Sequence, residues 1–112
     1  MGKYSEFIVN QRETIKNAFR KQTSTVKKFL LVVNRRKRVL GIVTDGDFRR
    51  AILDSVSLEA PISSIMNRNF RYFEEGYDIR DVMKVFMNTE ILQIPILKEG
   101  MLSDIIFRED MK

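Results

Sequence analysis

Residues 41–52, GIVTDGDFRRAI, gather a hydroxyl, two carboxylates and two guanidiniums into one short stretch. Thr44-x-x-Asp47 fits a capping box, in which a threonine N-cap and an acidic third helical residue stabilise a helix start by about 1 kcal/mol. Asp45 and Asp47 together suggest Mg2+, but two carboxylates fix no metal without further oxygen ligands. Arg49 and Arg50 carry planar forks that match phosphate or carboxylate oxygens in pairs. The chain has no Cys and no His. Thiolate chemistry, disulfides and imidazole acid–base catalysis are therefore excluded, and a stand-alone enzyme is disfavoured.

These groups need a strand to end and a helix to begin at Thr44. The 112 residues suit one compact domain or two small packed halves. Strands are expected at 7–9, at the continuous apolar run Phe29–Val33, and at 39–43, the last two forming a hairpin across the basic break 34–38. A helix opens near Glu13 with Ile15, Ala18 and Phe19 on one face and ends in the polar stretch 22–25. A second runs from Thr44 to about Asp54 with Phe48, Ala51 and Ile52 inside. A loop at 57–61 leads to a short helix around Ile62, Ile65 and Met66.

The order then repeats. A strand at 70–73, a turn at 74–76, and a helix from Asp78 with Ile79, Val82, Met83 and Phe86 inside are followed by strands at 94–97 and Met101–Phe107. Pro95 favours a strand edge or a bulge. Thr14-Ile15-x-x-Ala18 overlays Asp78-Ile79-x-x-Val82, residues 31–34 overlay 95–98, and Gly41 to Asp47 overlays Asp104 to Asp110. The expected fold is α/β: two β-α-β-β-α units related by an approximate twofold, with their sheets packed together and helices outside.

That repeat, with Thr44-Asp45-Gly46-Asp47 entering Phe48-Arg49-Arg50-Ala51-Ile52 and the connector Pro61-Ile62-Ser63-Ser64-Ile65-Met66-Asn67, resembles a tandem pair of cystathionine-β-synthase (CBS) domains, a Bateman module. The units would span 1–58 and 59–112. "TDGDFRRAIL" followed by "PISSIMNRN" is similar to the CBS pair in front of certain bacterial sugar-phosphate nucleotidyltransferases. The resemblance implies a regulatory segment excised from a longer protein, with an enzyme domain after residue 112 and no catalysis in the pair itself.

The resemblance further implies a regulatory ligand, AMP, ADP, ATP or S-adenosylmethionine, in the cleft between the units, and no obligatory cofactor. Thr44 and Asp47 would hold the ribose, a carboxylate being able to accept from two hydroxyls. Ile42 would flank the adenine, and Arg49 and Arg50 would reach phosphates. Phe107 and Asp104 replace Thr44 and Gly41 in the second unit, which weakens the case for two sites; one competent site in the pair, or none, is expected. The capping reading of Thr44 and Asp47 stays open beside the ribose reading. The alternative function is a structural dimerisation module with no nucleotide.

Family members pair into homodimers, and exposed helix faces including Phe86 and Met87 would supply the interface. The net charge of +5 raises the question of nucleic acid, with Arg35-Arg36-Lys37-Arg38 as its focus. A solvated hairpin tip is the favoured reading there, since no array of aromatics accompanies it. No signal-like or membrane-length apolar run exists. The expected setting is the cytoplasm, without membrane contact.

Overall fold

Five apolar residues in succession can all be buried only in the middle of a covered sheet, and Phe29–Val33 is that strand, buried throughout. The structure is a computed structural model that describes residues 2–111, so the outermost residues of the two expected units lie outside the described residues. In the first sheet β1 (Ile8–Asn10) runs parallel to β2 (Phe29–Val33), and β2 pairs antiparallel with β3 (Val39–Thr44). A parallel pair needs a crossover, supplied by α1 (Ile15–Thr23). Thr14 caps α1, its Oγ1 accepting from the Asn17 N–H at 3.1 Å. After β3 the chain enters α2 (Asp45–Leu53).

Val9, Ile15, Ala18, Leu30, Val32, Val43 and Phe48 form the core of this half, with Ile62 and Met66 from the connector. Gln22, expected to help end α1, lies inside the helix and is wholly buried. Ile52, expected inside, is 53% exposed. The buried stripe of α2 is Phe48 and Ala51 alone; Ile52 sits roughly 100° further round, on the outer side.

The connector belongs structurally to the first half. Ile15 N–H donates to Ala60 O at 2.9 Å and Ile62 N–H to Glu13 O at 2.7 Å. The expected short helix is a single 3-10 turn, Ile62–Ser64. Asn67 then bridges β3 antiparallel, exchanging both backbone bonds with Ile42 at 3.0 and 2.8 Å. Gly41 permits this approach, because a Cβ there would lie 2.9 Å from both Asn67 O and Met66 Sδ. Gly41→Ala is expected to part the bridge and lower unfolding free energy by about 1–3 kcal/mol, read by denaturant titration. A neutral outcome would mean that the connector yields freely.

Contacts divide the chain into Met1–Phe70 and Arg71–Lys112. The second half repeats the first: β4 (Phe73–Glu74) is parallel to β5 (Gln93–Lys98), which is antiparallel to β6 (Met101–Phe107), in the order β4-β5-β6. The crossover is α3 (Ile79–Asn88). β4 is shorter than the expected strand at 70–73 and starts where that one ends. Pro95 explains this: Phe73 pairs with Ile96, and one step back β5 has no N–H to give. Pro95 thus lies in the middle strand but faces only β6 there, opposite Ile105, whose own N–H turns to Asp104 Oδ1 at 2.9 Å.

On α3 the buried stripe is Val82, Val85 and Phe86. Ile79 and Met83, expected inside, are 44% and 43% exposed, and Met87 is 79% exposed. The helix is apolar on two faces, and the face spaced by fours looks outward. Phe86, expected on the inner face of α3 and also at an exposed interface, is buried beneath the Arg108 guanidinium, 5.3 Å from its ring centre, so only the inner placement holds. Arg108 also ties β6 to the loop after α3, donating Nε to Ile91 O at 2.9 Å.

Two helix starts carry depressed carboxyls. Asn17 Nδ2 and then the Thr14 N–H hold Glu13 below the usual glutamate range. Arg80, through its side chain and then its N–H, does the same to Asp78 at the α3 N-cap. The stability from both groups is complete above the ordinary carboxylate values of about 4 and fades as pH falls through the lower folded values. Unfolding midpoints should therefore drop on acidification below about pH 4, and Asn17→Ala with Arg80→Gln should flatten that limb. An unchanged acid limb would contradict it.

Candidate functional site

β3 delivers Thr44 and α2 begins at the next residue, so hydroxyl, carboxylate and helix start coincide as the spacing implied. Thr44 N–H donates to Asp47 Oδ2 at 2.9 Å, and Thr44 Oγ1 donates to the same oxygen at 3.3 Å. Asp47 thus reaches back to the N-cap backbone, the acidic half of a capping box. Asp47 Oδ1 takes Arg50 Nη2 at 2.6 Å, with the Asp47 side chain 13% exposed and that of Arg50 68% exposed. A carboxylate offers about four acceptor positions. The inner oxygen is committed to the backbone, and the outer one is held by a solvent-facing side chain.

Sequence reasoning assigned no role to two neighbours. A Cβ on Gly46 would lie 3.3 Å from Arg50 Nη1 and 3.8 Å from Thr44 Oγ1, so a side chain there would ask the exposed Arg50 guanidinium to give by a few tenths of an ångström. Gln22 Nε2 donates to Asp45 Oδ1 at 2.7 Å, while Gln22 Oε1 has no hydrogen-bond partner among the described residues. A buried glutamine thus fixes the first residue of α2 from the last turn of α1. No sequence pattern marks it, since a polar residue at a helix end ordinarily faces water.

Of the other candidates, Ile42 is buried at 8% exposure, and both its backbone groups are taken by Asn67. Arg49 is exposed on α2. Asp45 and Asp47 share no metal geometry: one is bonded to Gln22 and the other to Thr44 and Arg50. Among the described residues no group of three or more acidic side chains could hold an ion. The corresponding position of the second half has Phe107, which gives no side-chain cap, and a 3-10 turn, Arg108–Asp110, follows it where the first half has α2. Asp110 is exposed. Among the described residues no helix is long and apolar enough to cross a membrane.

Two successive β-α-β-β units with one strand order define a tandem α/β repeat. The CBS domain family matches residues 5–54 and 62–112, and the chain belongs to that family, as a tandem pair. CBS pairs are in general regulatory rather than catalytic. The chain is similar to RP505 of Rickettsia prowazekii, 32% identical over 81 residues that make up 72% of this chain and 25% of that one. It is 24% identical over 106 residues to a 17.7 kDa protein of Acidianus ambivalens, covering 94% of this chain and 64% of the other. It therefore spans less than two thirds of either relative. Its fold is that of the CBS domains of a transcriptional regulator from Streptococcus pneumoniae, with a TM-score of 0.79, 18% identity, and coverage of 95% and 87% of the two chains.

Proposed function

We propose that this CBS pair is a ligand-sensing regulatory module whose first unit binds the ribose of an adenosine nucleotide or derivative at the β3–α2 junction. The carrying observation is the half-committed Asp47 carboxylate, fixed by Thr44 on one oxygen and covered on the other only by exposed Arg50. Vicinal hydroxyls displace the guanidinium from Oδ1, and Arg50, with Arg49 beside it, is then free to meet phosphates. AMP, ADP, ATP and S-adenosylmethionine share the required ribose.

Binding regulates only if it favours one of two states of something attached. The attached partner in this reading is an enzyme domain, a sugar-phosphate nucleotidyltransferase, in the cytoplasm. That the relatives are longer than the matched segments supports a partner domain. Any catalysis would reside there. The test is a thermal-shift series with the four ligands. At about 100-fold over its dissociation constant the cognate ligand adds about 2.7 kcal/mol, a midpoint rise of roughly 10 °C. No shift with any of them would contradict the reading.

One observation favours a second reading, a dimerisation module with no nucleotide. Ile79, Met83 and Met87 leave an apolar stripe on the outer face of α3, suited to a second copy of the chain. Sizing that shows a dimer, dispersed by Met83→Glu with Met87→Glu, together with a flat thermal-shift series, would favour it.

A further inference from the structure

A cluster of arginines without ion-pair partners among the described residues lies at the far end of the first sheet from Thr44. Because β1 is parallel to β2, the loop leaving β1 and the turn leaving β2 emerge side by side. Gln11 N–H donates to Val33 O at 2.8 Å and locks them together. Each begins with the same device: Asn10 Oδ1 accepts from Arg12 N–H at 2.9 Å, and Asn34 Oδ1 accepts from Arg36 N–H at 2.9 Å and Arg38 N–H at 3.0 Å. Between them is an open concavity of about 410 Å3 lined by Asn10, Gln11, Arg12, Asn34, Arg35 and Arg36. No carboxylate lines it, and among the described residues Arg12, Arg35 and Arg36 have no ion-pair partner.

We propose that this concavity is a separate anion site for a small oligophosphate. Three arginines line one hollow with no carboxylate among the lining residues, and an anion there would offset their charge while taking paired hydrogen bonds. The volume falls in the range of small-molecule sites. The lining holds no aromatic ring, so bases find no stacking surface and the phosphates alone are recognised. The site is distinct from the ribose position: in the hairpin register Thr44 faces Phe29 at one end, and Val39 faces Val33 at the other. The strands put roughly 15 Å between the two ends.

The experiment is calorimetric titration of the chain with sodium tripolyphosphate, which carries no ribose, at low salt. Arg35→Gln with Arg36→Gln should weaken binding by roughly tenfold or more, and Arg12→Gln should weaken it in the same direction. Arg71→Gln with Lys84→Gln removes the same charge from the exposed surface of the second unit and should leave binding within about twofold, as expected for screened distant charges. An unchanged unfolding midpoint certifies that the variants are folded. Equal loss in both double variants would reduce the effect to net charge and overturn the site. Absence of binding would overturn it as well. Tight binding of duplex DNA with a steep salt slope, without tripolyphosphate binding, would replace it with a nucleic-acid surface.

Discussion

Asp47→Ala abolishes the nucleotide-dependent rise in unfolding midpoint while the chain stays folded. The substitution removes the acceptor of the Thr44 N–H and the partner of Arg50. As a cap it costs about 1 kcal/mol, paid equally with and without nucleotide. As a ribose acceptor it removes the whole ligand increment of about 2.7 kcal/mol under saturating conditions. The two roles separate cleanly: a capping residue lowers both melting curves in parallel, whereas a ligand residue collapses the gap between them. Asp47→Asn keeps the size and one acceptor but loses the charge, and should retain most of the fold and little of the gap. Parallel curves for Asp47→Ala would leave the junction as a helix cap only.

Phe48→Ala should cost about 3–5 kcal/mol of stability, the cost of emptying a buried aromatic position. Phe48 is 1% exposed and stacks on Phe19 with ring centres 4.8 Å apart. Only Phe48 and Ala51 of α2 are buried, so the helix that carries Thr44's partner is seated on the sheet by essentially one large side chain. Loss of that seat should weaken nucleotide binding too, although Phe48 touches no ligand. Phe48→Leu should fall between the two. Ile52→Ser, on the outer face, should stay within about 0.5 kcal/mol of the parent. A small effect of Phe48→Ala, or a large one of Ile52→Ser, would mean that α2 packs the other way round.

The strands and their order were legible because period and burial agree: Phe29–Val33 reads as a covered strand and is one. The first candidate junction was legible too, since Thr44 and Asp47 meet through a local spacing. What escaped depends on partners distant in the chain. Ile52, Ile79 and Met83 satisfy an apolar helical period yet face outward, because each helix buries a stripe narrower than its apolar arc. Gln22 looks like a helix end until α2 arrives with Asp45. Gly41 reads as a strand glycine, and its reason is the carbonyl of Asn67, far along the chain. β4 is set by Pro95 in another strand rather than by its own residues.

Affinity for AMP compared with its 2′,3′-dideoxy analogue, measured by calorimetry on the parent chain and on Asp47→Ala, isolates the contact between carboxylate and ribose hydroxyls. The parent should favour AMP by roughly a hundredfold or more, the worth of two hydrogen bonds to a charged acceptor, and Asp47→Ala should treat the two alike. Equal binding of both compounds by the parent would contradict a ribose held at this junction.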